Sequence, residues 1–449
     1  MKNLIENLRE YDDILKSEEI KVFLKNISPS EIEEIWGLLT KKEYIKIFSN
    51  LPLEKKVDLF NLLSSTEQEK LITILSMENT KILLNEMEPD DLVDFIQSIS
   101  SRVRKSVWES LSEEAKNETL FLLRFDEDEA AGLMTPRYIK IRSSISVSQA
   151  INFIRKNAGE VETVYYIYVV DQLNRLLGVL SLRDILSSDN DTKIEKIMIK
   201  TLITVREKID QEEVARILET SDLIALPVVD SHNRMLGIIT VDDVIDVIRE
   251  EQTEDIYKMG AMNGTVNPYL ETSIWGIVKK RIPWLILLLL VGTITTNVLK
   301  HYESIVIGAS FLFIFMPVIT QTGGNSGAQS STLIIRGLAT NEIHFDDIGR
   351  ILLREIVIGI LIGIGTGIVI LIRSLFLPPN ISFQPGLVIA TALTFVVIFS
   401  SIIGALAPLV IHKLGFDPTV MSGPLMATVI DVCGLTIYFE IARHFILQS

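Results

Sequence analysis

Hydrophobic and polar positions follow three different rhythms along this chain. Through residues 1–130 the apolar residues recur at helical spacing in short bursts, which predicts an all-α segment built of short helices. Within it Val57-Asp58-Leu59-Phe60 and Leu92-Val93-Asp94-Phe95 lie about 36 residues apart, after Pro52 and Pro89. Prolines near helix starts and a repeat of that length predict a small α-superhelix, with a plain helical bundle as the alternative. From residue 134 to 253 the pattern becomes strand, turn, strand and helix, given twice. After Arg281 long stretches lose charge altogether.

Those stretches are Pro283–Leu299, Ser304–Ile335, Ile356–Ile372, Gly386–Ile411 and a fifth from about Pro418 to Ile446, interrupted by Asp431 and Glu440. About 20 apolar residues cross a bilayer, so residues 282–449 are predicted to form five transmembrane helices. The stretch Met1–Lys16 is charged and lacks an apolar signal-peptide core, so the N-terminus is expected in the cytosol. Five spans then leave Lys279, Lys280, Arg281, Arg336, Arg350, Arg354 and Lys413 inside and Lys300, Arg373 and Arg443 outside, as the positive-inside bias requires. The expectation is a multi-pass protein of the cell membrane, embedded in the lipid bilayer, with its C-terminus outside.

Charge separates the two halves. Of 58 acidic and 43 basic residues, 50 and 36 precede Ile282, a net charge of −14 there against −1 beyond it. An acidic half of that kind repels nucleic acid and attracts cations. Cys433 is the one cysteine, which excludes an intrachain disulfide and a cysteine-built metal site.

The repeat is explicit. Val169-Val170-Asp171 through Asn174-Arg175 to Gly178-Val179-Leu180-Ser181-Leu182-Arg183-Asp184 returns, 59 residues on, as Val228-Val229-Asp230 through Asn233-Arg234 to Gly237-Ile238-Ile239-Thr240-Val241-Asp242-Asp243. Ser181 and Thr240 are placed as helix N-caps, and Asp184 and Asp243, three residues on, complete capping boxes. Duplicated units of this length pack on each other. With its Met134-Thr135-Pro136 start, the segment resembles a tandem pair of CBS domains (131–190 and 194–253). That resemblance makes Ser181, Asp184, Thr240 and Asp243 candidate contacts for the ribose of an adenine nucleotide, with capping alone as the other reading.

Residues 242–281 read as an acidic connecting helix. Asp243, Asp246, Glu250 and Glu254 follow spacings of three, four and four, which puts them on one helical face. Like charges so placed repel by a few tenths of a kcal/mol each. A solvated face tolerates that; a face set against a membrane domain can instead be pinned by divalent cations and released when they leave.

Asp431 is the most informative residue of the membrane half. A carboxylate at mid-bilayer costs roughly 2.5–3.5 kcal/mol on insertion scales, so it should face a polar cavity, and no basic residue lies at its depth. Thr428 shares its face, and Gly423-Pro424 can kink the helix and bare carbonyls. The second span supplies Pro317 and the polar run Gln321-Thr322-Gly323-Gly324-Asn325-Ser326-Gly327-Ala328-Gln329, suited to a wet pore. Gly359, Gly363 and Gly367 of the third span read as packing, and Glu355 as either a salt bridge to Arg354 or an ion contact. One carboxylate per chain suits Mg²⁺, which keeps its water, above all if a two-fold axis brings two Asp431 together. The donor types disfavour copper and zinc more firmly than calcium, cobalt or manganese. An intramembrane hydrolase would need a second deep carboxylate, or a histidine near a serine, and neither is evident.

In order and in motif the chain resembles the MgtE family of magnesium channels. The matching motifs are Phe125-Asp126-Glu127-Asp128, Gly132-Leu133-Met134-Thr135-Pro136, Thr253-Glu254-Asp255-Ile256, Thr322-Gly323-Gly324-Asn325 and Asp417-Pro418 through Asp431-Val432-Cys433-Gly434. The resemblance implies a non-enzymatic homodimer whose pore Asp431 binds hydrated Mg²⁺. It implies closure by Mg²⁺ held at Asp126, Asp128, Glu254 and Asp255, with Asp246 and Glu250 nearby on the acidic face. Pore-lining candidates are Pro317, Gly324, Asn325, Gln329, Gly423 and Thr428. ATP is an expected regulatory ligand of the CBS pair, and transport of another divalent cation such as Co²⁺ is the alternative. The expected fold is multidomain: an all-α superhelical N domain (1–130), an α/β tandem CBS pair (131–253), the connecting helix (242–281) and an α-helical transmembrane domain of five helices (282–449).

Overall fold

The computed structural model describes residues 22, 24–262, 269, 272–421 and 423–446. The Met1–Lys16 stretch and residues 263–268, 270 and 271 of the connecting segment lie outside them. The chain divides into two compact units, Met1–Glu251 and Gln252–Ser449.

The first unit begins with eight helices: α1 (Pro29–Trp36), α2 (Lys41–Asn50), α3 (Leu53–Leu62), α4 (Ser65–Ile74), α5 (Met77–Glu86), α6 (Pro89–Ser98), α7 (Ser101–Ser110) and α8 (Glu113–Leu122). From α2 onward each starts 12 residues after the last. The residue closing each helix is apolar: Leu51, Leu63, Leu75, Met87, Ile99 and Leu111 all take extended backbone, and most are buried. A capping or helix-starting residue follows at once. Thr40, Ser76 and Ser112 accept from the third amide of their helices. The chain therefore turns in two residues, and every second helix packs together (α1 on α3, α3 on α5, α5 on α7; α2 on α4, α4 on α6, α6 on α8). This is a superhelix of two layers. The 36-residue offset is three turns of a 12-residue unit. Trp36, Phe48, Leu59 and Phe60 fill the seam between the layers.

Two matching α/β modules follow. The first holds β1 (Tyr138–Ile141), α9 (Val147–Asn157), β2 (Thr163–Val170), β3 (Leu176–Ser181), α10 (Leu182–Ser187) and α11 (Ile194–Ile197). The second holds β4 (Val205–Arg206), α12 (Gln211–Ser221), β5 (Ala225–Val229), β6 (Met235–Thr240) and α13 (Val241–Met259). In each sheet the first strand pairs parallel with the second and the second antiparallel with the third. The hairpins turn at Asn174 and Asn233, at φ of 62° and 63°, the left-handed region asparagine tolerates. These turns lock the modules together: Leu176 N–H donates to Asn233 O (3.0 Å) and Met235 N–H to Asn174 O (2.9 Å). Tyr168, Val170, Val229 and Ile238 bury a common core between them.

The second unit contains α14 (Ile274–His301), α15 (Glu303–Gly308), α16 (Phe311–Ala339), α17 (Ile348–Phe376), α18 (Phe383–Lys413) and α19 (Gly423–Ile446). Four helical segments, Ile274–His301, Phe345–Phe376, Phe383–Lys413 and Gly423–Phe445, are long and apolar enough to cross a membrane. At 29 residues α16 is also long enough, but its polar run keeps it below that apolar standard. Helices α16, α17 and α19 pack on α18, while α14 lies against α19 and buries no residue in the bundle. The glycine seam of α17 packs as expected: a Cβ at Gly359 would stand 3.0 Å from Ile398 Cα, and one at Gly363 2.8 Å from Thr394 O.

Candidate functional site

In the membrane unit α16 presents two polar faces. Pro317, Gln321, Asn325, Gln329 and Thr332 are exposed and recur at helical spacing along one side. Ser326 and Ser330, about 100° round the helix from Asn325 and Gln329, are buried. The polar run is therefore only partly available to line a pathway. Gly324 faces α19, where a Cβ would make ordinary contact with Ala427 Cβ at 3.6 Å, one turn before Asp431; the close approach is at Gly327, where a Cβ would run into the Ile430 side chain. Asp431 is half-buried on α19, and among the described residues no hydrogen bond or ion pair holds it. Thr428, half-buried one turn before Asp431, donates its hydroxyl back to Pro424 O (2.9 Å).

Two expectations are corrected here. Gly423 and Pro424 do not kink a helix; they begin one, because Gly423 at φ +51° is non-helical and proline favours the first turn. Glu355 is not paired with Arg354. Arg354 is exposed, whereas Glu355, 5 % exposed, accepts a hydrogen bond from Ser330 Oγ (2.7 Å).

Also in the second unit, the end of α13 approaches the start of α19. Lys258 Nζ lies 3.1 Å from Glu254 and 2.8 Å from Asp417. A Cβ on Gly423 would stand 2.9 Å from Met259 O. Burial works against ionising Asp417, yet Lys258 and the Thr419 hydroxyl and amide hold its carboxyl below the usual range. Partial burial and then the Asp417 charge raise Asp255.

In the first unit the acidic face of α13 meets acids from the superhelix. Asp90, 6 % exposed, lies with Asp91 and Asp94 on α6 and with Glu88 just before it, near Asp243 of α13 and Glu162 just before β2. Loss of hydration, reinforced by neighbouring carboxylates, raises Asp91 and Asp94 to about 7, Asp243 to about 6 and Glu162 to about 10, and pushes Asp90 well up. Asp94 is itself exposed, at the rim of the cluster. Asp90 Oδ1 and Glu162 Oε2 are buried without a hydrogen-bond partner among the described residues. Sequence reasoning missed Asp90, Asp91, Asp94, Glu88 and Glu162, since nothing local marks acids that only the fold brings together. Asp126 and Asp128 instead edge an open groove of about 780 Å³ with Glu127, Asp210 and Lys208. Glu250 is raised by partial burial and by charges that include Asp128, while Asp246 is exposed and paired with Arg249 (3.0 Å). Among the described residues no three acidic, histidine or cysteine side chains already stand in metal-holding geometry.

Ser181 caps its helix, and Thr240 bonds the Asp243 carboxylate at the corresponding place in the second module. Ser181 Oγ lies 2.6 Å from Asp184 Oδ2 and accepts the Asp184 amide at 3.0 Å, and Thr240 Oγ1 donates to Asp243 at 2.5 Å.

Comparison with known proteins gives the class first. Residues 316–441 match the family model described as a divalent cation transporter, residues 27–128 the MgtE intracellular N domain, and residues 130–191 and 194–250 the CBS domain. The chain is 37 % identical over 427 residues to the magnesium transporter MgtE of Thermus thermophilus, covering 94 % of both chains. It is 34 % identical over 440 residues to that of Enterococcus faecalis, covering 94 % of this chain and 95 % of the relative. Among solved structures it is similar to the cytosolic domain of the Mg²⁺ channel MgtE in complex with ATP (36 % identity, TM-score 0.52), over 54 % of this chain and 98 % of that one. The chain belongs to the MgtE family.

Proposed function

We propose that the protein conducts Mg²⁺ across the membrane through a pathway lined by the exposed polar side of α16 and by Asp431 of α19. The observation that carries this is the exposed polar side of α16, a helix packed on α19, whose carboxylate no base neutralises among the described residues. A polar stripe along a span cannot face hydrocarbon, so it needs either water or a second protein surface. Two copies related by a two-fold axis supply both, with α16 counted as the second of five spans, the first unit in the cytosol and the C-terminus outside. All-oxygen donors and a single carboxylate per chain favour hydrated Mg²⁺. The named function of the relatives agrees.

Cytosolic Mg²⁺ closes this pathway by neutralising the acids on both sides of α13: Asp90, Asp91, Asp94, Asp243, Glu250, Asp126 and Asp128 in the first unit, Glu254, Asp255 and Asp417 in the second. ATP binds the CBS pair as a regulatory ligand near Ser181, Asp184, Thr240 and Asp243, as the ATP complex of the similar domain suggests. The test is Mg²⁺ uptake into proteoliposomes with Co²⁺, Ca²⁺ and Mn²⁺ as competitors. Asp431→Ala should abolish uptake in a folded protein. Unchanged uptake removes Asp431 from the pathway, and preferred Co²⁺ flux replaces the magnesium reading with the cobalt one.

A further inference from the structure

We infer that Glu355 is a positioning residue that fixes the rotation of the pore helix α16, turning Asn325 and Gln329 toward the ion. This rests on the pore reading above and concerns a group that has no part in it. Glu355 sits eight residues into α17 and is buried inside the bundle, where an acid replaces what would otherwise be an apolar packing residue. Its carboxylate accepts from Ser330 Oγ at 2.7 Å. One turn away on the same face of α16, Ser326 Oγ and Ser401 Oγ of α18 are 3.1 Å apart. Two polar bonds, from one face of one helix to two different neighbours, set both its rotation and its height. Neighbouring positions on a helix differ by about 100°, so the same two bonds decide that Asn325 and Gln329 are the exposed pair. A slip of one residue would bring the serines to the pathway and bury the amides.

Val396 and Ile430 pack closely into the notch at Gly323 and Gly327, and the two polar bonds add direction to that contact. A bond to a buried carboxylate is directional and is costly to leave unmade.

The test uses the full chain in proteoliposomes, in a Cys433→Ala background, with Asn325→Cys or Gln329→Cys labelled by a membrane-impermeant thiosulfonate. Each reporter is combined with Glu355→Gln, Glu355→Leu or Ser330→Ala, and Mg²⁺ uptake is measured in the same variants without reporters. Glu355→Leu and Ser330→Ala should slow labelling severalfold and raise the half-saturating Mg²⁺ concentration. Glu355→Gln, which can still accept from Ser330, should keep both near the parent values. Ser330→Ala removes one oxygen and remains informative if Glu355→Leu does not fold. Parent-rate labelling in both Glu355→Leu and Ser330→Ala overturns the inference while leaving the pore reading intact. Loss of uptake in Glu355→Gln with unchanged labelling overturns it in favour of direct ion contact. Reporters that no aqueous reagent reaches even in the parent overturn the pore reading, and the inference with it.

Discussion

Replacing Asp91 by asparagine should stabilise the cytosolic half when Mg²⁺ is absent. In the folded chain Asp91 holds its proton up to about 7, against 3.8 ordinarily, because it has lost hydration and stands near Glu88 and Asp243. An acid whose folded pKa is raised binds protons better in the native state, so stability falls as pH rises from the ordinary value through the folded one. The penalty is small at pH 4, partial at pH 5 and complete by pH 8. Three units at 1.36 kcal/mol each give about 4 kcal/mol, and partial contact with water reduces this to about 2 kcal/mol. Asparagine keeps the shape and can still accept the bond that Asn61 donates to this side chain. For a unit of 251 residues (Met1–Glu251), about 2 kcal/mol moves the transition by about 4–8 °C. The assay is thermal unfolding of the purified full chain in EDTA at pH 8, followed by tryptophan fluorescence with Trp275 and Trp284 changed to phenylalanine. Trp36 and Trp108 then report the first unit. Asp91→Asn should melt higher than the parent at pH 8, the gap should narrow toward pH 5, and Mg²⁺ should raise the parent's transition more than the mutant's. Equal stabilisation of both by Mg²⁺, or a lower transition for Asp91→Asn, would refute the account of the acidic cluster.

Neutralising Glu254 and Asp255 together should leave uptake active at cytosolic Mg²⁺ concentrations that close the parent, read by flux against internal Mg²⁺; normal inhibition would remove these acids from gating. Gly423→Ala should be destabilising by about 1–2 kcal/mol for the left-handed backbone alone, with the Met259 carbonyl clash added, so its thermal transition should fall and its flux–Mg²⁺ curve shift. Ser181→Ala should cost about 1 kcal/mol as a lost N-cap in thermal unfolding; calorimetric titration with ATP then tells whether the same hydroxyl also contacts nucleotide, since capping alone leaves affinity unchanged.

How far the sequence carried each half depended on whether the signal was local. The CBS repeat was legible because its turns and caps are short-range chemistry: Asn174 and Asn233 occupy equivalent left-handed turns, the Ser181–Asp184 capping box stands where the spacing put it, and Thr240 bonds the Asp243 carboxylate at the matching place. The superhelix was only half legible. Its unit is 12 residues long, but its mark is a single apolar residue after each helix, easily lost among other leucines. The acidic cluster was largely invisible. Asp243 could be placed on a face from its spacing, yet Asp90 and Glu162 reach it only through the packing of α6 and β2.

The membrane half shows why a polar run cannot be read by composition alone. Gln321 to Thr332 predicts water, and one face of α16 fits that reading with Asn325 and Gln329 exposed. The other face uses the same kinds of side chain for the opposite purpose: Ser326 and Ser330 are buried and bonded to Ser401 and Glu355. Hydroxyls serve either role, because a serine satisfies a carboxylate inside a bundle as readily as it meets water. What separates the roles is a carboxylate on the next helix, 25 residues on in sequence. Glu355, beside Arg354, reads from sequence as either a salt bridge or an ion contact; the fold turns Arg354 outward and Glu355 in. Asp431 needed no such partner to be noticed, since depth in the span and the lack of a base are both written in the sequence.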